Sequence, residues 1–389
     1  MLEEQIHKLG LPDVHEIEIT TIGIGGASGE SVIIHIGDNK WAIIDSCMSN
    51  KEVLPLLYLR SLGVDFTSVC AVICTHWHED HIKGLNVILE ACPQATFFIA
   101  KVGQMNNFLK YVITENFLNG SKGVWGEFCK CLNVLKKDKN RRKLYAQRDT
   151  HLLASSFSHL YSVSPADEMM DRFDQILKNA NPAKLPSDKG LPPNMCCMAV
   201  VLHSNGTNII IGADLESNNQ PVNIDDITCT TQCFDRKEMG WCNVMEDSTL
   251  FNSCNYDYVK IPHHSSATGY CPRLWNNQTS KNVIGVSTMF VNNAGILLPP
   301  KKMLQQYLNN CSKYYITSSY PLKRRDPKGK SELDELYNSD IKAMIIMPEQ
   351  VGIVCSRKRK NETEWDTHLL GAAIEVTQEY VNRYISKVS

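Results

Sequence analysis

The chain of 389 residues lacks an excess of charge: 40 Lys and Arg stand against 42 Asp and Glu, a formal net of −2. That balance creates no global field to select a polyanionic partner. No apolar run approaches bilayer length, so no membrane span is expected. The opening, Met1 to Gly10, is charged and has no apolar core of signal-peptide length, which points to a cytoplasmic protein. Closely paired cysteines are missing as well. Of the 15 cysteines, Cys229, Cys233, Cys242 and Cys254 dot the stretch 222–255 without any tight paired spacing, which argues against a separate zinc knot. The cysteines read instead as reduced and mostly buried. No nucleic-acid-binding module is recognisable. Finally, no histidine lies between Leu160 and Val201.

Histidine is concentrated elsewhere, in Ser68-Val-Cys-Ala-Val-Ile-Cys-Thr-His-Trp-His-Glu-Asp-His-Ile-Lys-Gly84. Val69 to Cys74 is a short apolar run bounded by polar residues, the pattern of a strand buried on both faces. It ends in His76, His78, Asp80 and His81, followed by a helical segment from Ile82 to Ala91. Three imidazoles and a carboxylate packed at the exit of a buried strand repel when protonated and leave lone pairs unsatisfied when neutral. One or two divalent ions resolve that conflict, and the spacing lets His76 and His78 serve one ion while Asp80 and His81 turn towards another. The alternative is a solvated loop that happens to be rich in histidine.

At these residues the chain resembles the metallo-β-lactamase superfamily, whose metal loop reads His-x-His-x-Asp-His-x-x-Gly. His76, His78, Asp80, His81 and Gly84 complete that pattern. The resemblance implies that the first two histidines bind one metal, and the aspartate and third histidine the other.

The flanking chain agrees in order. Ile17 to Ile22 alternates as a strand, Gly23, Gly25, Gly26 and Gly29 break it, and Ser31–Ile36 and Trp41–Ile44 read as paired strands around Gly37-Asp38-Asn39. This opening looks most like the hydrolase domain of bacterial DNA-uptake (competence) channel proteins, where a Gly-Asp-Ser step stands in the place of Gly29-Glu30-Ser31. Asp45 ends the next strand and is expected to support the metal histidines rather than bind an ion. Glu52–Leu62 reads as a helix with Val53, Leu56, Leu57 and Leu59 on its apolar side, and Ala95–Ala100 as another buried strand. Residues 102–160 read as a largely helical insertion, with a basic run at Lys136, Lys137, Lys139, Arg141, Arg142 and Lys143. Tyr161 to Pro165 is a strand and stop, and Ala166 to Leu177 a helix with Asp167 and Glu168 in its first turn.

The family pattern places a further histidine of the first metal site here. His151 and His159 lie upstream and His203 lies in the next strand, and each reads as surface or core rather than ligand. Competence-type relatives share this gap and carry an Asn, matched by Asn194. Met195–Leu202 and Asn208–Ile211 form a hairpin around Ser204-Asn-Gly206, running out into Gly212-Ala-Asp-Leu-Glu216. Asp214 corresponds to the carboxylate that bridges both metals in relatives, with Glu216 as competitor. Tyr258-Val-Lys-Ile-Pro-His-His-Ser-Ser266 resembles the competence-type Lys-x-x-His-His-Gly-Ser signature. It implies His263 as the last ligand of the second metal and His264 as a group facing substrate, with Ser265 where a glycine is usual. Asn282–Phe290 and Tyr314–Thr317 read as strands flanking a helix at Pro299–Leu308. Gly352–Cys355 and Ala372–Val376 suggest a last hairpin before a helical end.

Together these imply an α/β fold, an αββα metallo-β-lactamase sandwich, with a hydrolase domain over 1–320 and a basic C-terminal extension over 321–389. The resemblance implies zinc, two ions, with manganese or iron as alternatives, held by His76, His78, Asp80, His81, Asp214 and His263. The expected chemistry is attack by a metal-bound hydroxide, Asp80 orienting the water or taking its proton. Phosphodiester cleavage is the expected reaction, with nucleic acid as substrate: further basic clusters at 323–330 and 357–360 could meet phosphates. A small-molecule hydrolase (phosphatase, cyclic-nucleotide phosphodiesterase or lactonase) is the alternative.

Overall fold

The computed structural model describes residues 2–25, 29–118, 120, 122–179, 193–204, 206–217, 240–251, 255–277, 279–291, 297–318, 351–360 and 362–385. Gly26, Asn205, Cys229, Cys233, Cys254 and the basic cluster 323–330 lie outside the described residues.

Helix α1 (Leu2–Leu9) leads into β1 (Glu16–Ile24), β2 (Glu30–His35) and β3 (Trp41–Ile44). The short pair β4 (Met48–Ser49) and β5 (Glu52–Val53) precedes α2 (Leu54–Leu62) and β6 (Val69–Cys74). Next come α3 (Glu79–Ile82), α4 (Leu85–Ala91), β7 (Thr96–Ala100), α5 (Met105–Leu118), α6 (Gly123–Lys137) and β8 (Lys143–Ala146). β9 (Thr150–Ala154), β10 (Ser158–Ser162), α7 (Asp167–Asn179), β11 (Val200–Ser204) and β12 (Thr207–Ile211) follow. Then stand α8 (Gly240–Asp247), β13 (Tyr256–Lys260), α9 (Pro272–Asn277) and β14 (Thr279–Ser287). The pair β15 (Phe290–Val291) and β16 (Leu297–Leu298), α10 (Lys301–Asn310) and β17 (Lys313–Ile316) come next. The chain closes with β18 (Val351–Arg359), β19 (Asp366–Gly371), β20 (Ile374–Glu375) and α11 (Gln378–Ile385).

Two eight-stranded sheets result, in the orders β19-β18-β1-β2-β3-β6-β7-β8 and β20-β17-β14-β13-β12-β11-β10-β9. Between them lies one apolar layer, to which Ile19, Ile34, Ile44 and Ile73 contribute from one side and Val200, Ile211, Tyr258 and Val286 from the other. The opposite face of the first sheet packs Val72, Cys74 and Phe97 against residues of α2, α4, α5, α6 and α7. The opposite face of the second packs Val201, Ile210 and Val259 against residues of α8 to α11. The central strands thus spend alternate side chains on two apolar layers, and the αββα sandwich expected from the sequence is observed. β6 pairs in parallel with both β3 and β7, which explains why it is apolar at every position rather than alternating.

Three local expectations are revised. The Ile82–Ala91 helix is interrupted at Gly84, whose φ of 82° is left-handed and whose missing Cβ would stand 2.7 Å from the Met48 side chain. The insertion is helical only through α5 and α6. β8 and β9 then add the outermost strands of the two sheets, β8 pairing in parallel with β7 across that helical crossover. Exposed edge positions need no apolar alternation, so the basic run hid β8. At the chain end, β18 pairs with β19 and not with 372–376, because β20 crosses to β17 in the other sheet.

Candidate metal centre

β6 delivers the loop. His76 and His78 point one way and Trp77 the other, because alternate side chains of extended chain leave on opposite faces. Trp77 is buried against Phe108 of α5 and Phe173 of α7, with ring centroids 4.7 and 5.5 Å away. Helix α5 of the insertion and α7 beyond it therefore clamp the metal loop from behind. Thr75 fixes the first imidazole. Its hydroxyl donates to Asp45 Oδ2 at 2.6 Å, so at 2.9 Å it accepts from His76 Nδ1–H, leaving Nε2 bare. That nitrogen lies 3.1 Å from His78 Nδ1, so the two imidazoles converge on one point.

Asp45, expected to support the histidines, lies behind the loop and also forms a group of ligand reach with His76 and His81. It accepts from Thr75 N at 2.8 Å and from His81 Nδ1 at 2.8 Å, which aims His81 Nε2 forward. An Asp45→Asn exchange should weaken zinc affinity roughly 10- to 100-fold while leaving the protein folded. Competition against a chelating dye would measure this, and unchanged affinity would remove Asp45 from the centre.

Asp214 stands between the two groups. Its Oδ2 is 3.7 Å from His76 Nε2, and its Oδ1 is 3.4 Å from His81 Nε2 and 3.8 Å from His264 Nε2. Asp214 thus lies within reach of the histidines of both groups. Glu216 sits outside the cluster, 3.0 Å from Asn194 Nδ2 and 3.2 Å from His263 Nδ1.

The tandem histidines differ from expectation. His264 Nε2 lies 3.2 Å from Asp80 Oδ2, and Asp80, His81 and His264 form one group with ligand reach. His263, expected as the ligand, joins none of the metal-capable groups among the described residues. It is partly exposed, beside Glu216, Thr268 and Ser266. The backbone explains the exchange. His263, His264 and Ser265 all take positive φ, at 47°, 48° and 59°, so the chain coils left-handed after Pro262 and turns the second imidazole inward. Ser265 holds the conformation that a glycine would take more readily.

Sequence reasoning missed what lies beneath His264. Its Nδ1 is 2.9 Å from Thr288 Oγ1, and the Thr288 hydroxyl in turn donates to Glu30. Glu30 also accepts from Lys260, and both charges are buried. The signal was available: a lone lysine within Tyr258-Val-Lys-Ile261 can only be buried with an acid. His151 and His159 lie on β9 and β10 and belong to none of the metal-capable groups.

Electrostatics follow this geometry. Burial, and then His81 and His78, hold the His76 pKa well below its usual value. Burial would lower His81 and His264 too, but the carboxylates together outweigh it, Asp214 with Asp80 at His81 and Asp214 with Glu30 and Asp80 at His264, and raise both above the usual imidazole value. Burial would raise Asp214, yet His81 and His264 keep it far below. Without a cation, the carboxylates compensate by protonating two of the imidazoles. A divalent ion would replace those protons.

The donor set fits metal. His81 Nε2 and Asp214 Oδ1 are buried, face each other at 3.4 Å and find no other hydrogen-bond partner, an under-satisfied pair that a cation between them would complete. His76, His78 and Asp214 form one group, Asp80, His81 and His264 another. Glu30 also lies within reach of His81 and Asp214, but its oxygens are engaged by Lys260 and Thr288.

Residues 24–105 match the family model described as the metallo-beta-lactamase superfamily. That span contains the whole of the His76–Gly84 loop. No curated protein matches the sequence. Among solved structures, a metallo-beta-lactamase of Cronobacter sakazakii, a HARLDQ motif mutant, is 12% identical. That match covers 61% of this chain and 75% of the other, with a TM-score of 0.31. A Thermotoga maritima structure described as a metallo-beta-lactamase is 16% identical over 54% of this chain and 84% of its own, with a TM-score of 0.30. A CmlA beta-hydroxylase variant is 11% identical over 62% and 35% respectively, with a TM-score of 0.31.

Proposed function

We propose that the protein is a metal-dependent hydrolase of phosphodiesters. The observation that carries the hydrolase reading is the pair of His/Asp groups meeting at Asp214, with bare imidazole and carboxylate atoms aimed into a buried space. His76, His78 and Asp214 would hold one ion, and Asp80, His81, His264 and Asp214 a second, zinc being the first candidate for such nitrogen and carboxylate donors. Divalent metal there supplies a water acidified to about pKa 7 and a Lewis acid for the anionic transition state. The chain's own residues do the rest. Thr75, Asp45 and Thr288 fix three imidazoles in one tautomer each, and Asp80 accepts or orients the proton of the attacking water. His263, held by Glu216 at the exposed rim, faces the substrate.

Phosphodiester substrates, and nucleic acid among them, are supported by two features. One is the resemblance to competence-type hydrolases at Gly29-Glu30-Ser31 and Lys260 to Ser266. The other is the basic run after α6, where Lys136, Lys137, Lys139, Arg142 and Lys143 are exposed. Half of the last cluster favours the alternative, a small-molecule hydrolase, although Arg359 and Lys360 are exposed. Arg357 is committed to Glu18, with Nε 2.8 Å from Oε2, and Lys358 to Asp257 at 2.6 Å, so neither is free for phosphate. Free, mostly buried cysteines support a reducing compartment, and no helix among the described residues is long and apolar enough to cross a membrane.

Incubating zinc-, manganese- or iron-loaded protein with single- and double-stranded DNA, RNA and bis(p-nitrophenyl) phosphate tests the reading. Cleavage of at least one nucleic acid is expected, weakening with salt as phosphate contacts release counterions. Turnover of the small diester alone would transfer the assignment to the small-molecule reading. Absence of bound transition metal after reconstitution would end both.

A further inference from the structure

The turn that carries His264 inward has a disfavoured backbone. His263, His264 and Ser265, three successive residues other than glycine, all take left-handed φ. Residues with a side chain adopt that conformation singly and reluctantly, so a run of three persists only where surrounding contacts hold it. A glycine at the third position, as in the signature this stretch resembles, would relieve one of the three. With Ser265 in that place, some other contact must offset the strain.

That contact is a closed ring of hydroxyls. Ser265 Oγ donates to Ser287 Oγ at 2.6 Å, Ser287 Oγ lies 2.8 Å from the Tyr314 hydroxyl, and Tyr314 donates back to Ser265 Oγ at 3.4 Å. All three side chains are fully buried. A hydroxyl donates once and can accept as well, so this cycle gives each of the three donors a partner without water. Ser287 ends β14, and Tyr314 lies on β17, its parallel neighbour. The turn is thus tied to two strands of the second sheet through a side chain that glycine lacks. Thr288, next after Ser287, meets His264 Nδ1 at 2.9 Å, and the Phe290 ring stacks on the imidazole at 4.6 Å between centroids. Those two contacts set the tautomer and plane of the imidazole. The hydroxyl ring sets the backbone from which it projects.

We propose that Ser265 is a positioning residue for the second metal ion, locking through Ser287 and Tyr314 the left-handed turn that presents His264 to Asp80, His81 and Asp214. His264 Nε2 stands 3.2 Å from Asp80 Oδ2 and 3.8 Å from Asp214 Oδ1, and a shift of the turn by one ångström or so would take it out of the group. Ser265 acts through the backbone alone, because its own hydroxyl is committed to Ser287. The inference rests on the reading of His264 as a ligand and is independent of the substrate.

The test uses full-length protein loaded with zinc, with affinity measured by competition against a chelating dye and ligand geometry by the absorption of the cobalt form. Ser265→Ala removes the hydroxyl but keeps a side chain at positive φ. It should weaken one of the two ions roughly 10- to 100-fold, the loss typical when a partner behind a ligand is removed, and should alter the cobalt bands. Ser265→Gly also lacks the hydroxyl but takes the left-handed conformation readily, so it should recover most of that affinity. Tyr314→Phe, which opens the ring of hydroxyls without touching Ser265, should give a smaller loss at the same ion. In a His264→Ala background, Ser265→Ala should have no further effect on zinc, since the ligand it positions is gone. A Ser265→Ala protein that binds zinc as the parent does would overturn the proposal, even if chemical denaturation shows it less stable. Equal losses in Ser265→Ala and Ser265→Gly, or an undiminished loss in the His264→Ala background, would overturn it as well. Retention of both ions by His264→Ala alone would remove the ligand reading of His264, and this proposal with it.

Discussion

Exchange of His264 for alanine should release one metal ion and lower turnover by roughly a thousandfold, while exchange of His263 should leave the metal content intact. The difference rests on position. His264 Nε2 lies 3.2 Å from Asp80 and 3.8 Å from Asp214, inside the group that includes His81. His263 is tied to Glu216 and Thr268 at the rim. A catalytic metal contributes several kcal/mol of transition-state stabilisation, and at about 1.4 kcal/mol per tenfold that corresponds to about 10³ in rate. His263→Ala should act mainly through KM, as a group that meets substrate without holding the ion. Elemental analysis beside steady-state kinetics separates the two. If His263→Ala loses the ion and His264→Ala keeps it, the two histidines must be interchanged, restoring the order that the sequence alone implies.

That reversal marks how far the sequence could be read. The His76–Gly84 loop, Asp45 behind it and Asp214 opposite it were legible because each sits at the end of a short apolar strand, where a polar residue is conspicuous. Which of two adjacent histidines turns inward depends on three consecutive left-handed residues, 263 to 265, and no side-chain pattern encodes that at a position lacking glycine. Glu30 was legible only as a departure from the aspartate of similar proteins. Its partner Lys260 lies 230 positions away, and only the packing of the two sheets brings them together. The strands of the chain end follow the same logic. β18 pairs with β1 from Glu16↔Arg359 to Ile24↔Val351, a register set by the closing of the first sheet and not by local composition. Local periodicity therefore recovered individual strands, and the resemblance at the His76–Gly84 loop supplied the layers, while long-range pairing decided the edges and the second layer of contacts behind the metal ligands.

The Glu30–Lys260 pair should carry the largest single cost to stability. Both side chains are almost fully buried, Lys260 at 0% exposure and Glu30 at 3%. Burial alone would raise the Glu30 pKa, but Lys260 and then His264 bring it below the usual value, which favours the carboxylate facing Lys260. A buried ion pair gains little over an apolar replacement, but removing one partner strands the other charge, which costs about 3–5 kcal/mol. Lys260→Met should therefore destabilise by about that amount and, by freeing Glu30 to move, loosen Thr288 and the Nδ1 contact that fixes His264. Glu30→Gln with Lys260→Met removes both charges and should recover most of the loss in stability. The glutamine introduced by Glu30→Gln would still offer Thr288 a carbonyl acceptor, so part of the metal affinity should return with it. Chemical denaturation of the two variants and the parent reads the first effect, and zinc competition reads the second. If Lys260→Met unfolds at the same denaturant concentration as the parent, the pair is not buried as a charged unit. If the double variant is no more stable than Lys260→Met, the loss comes from the shape of the lysine side chain and not from a stranded carboxylate.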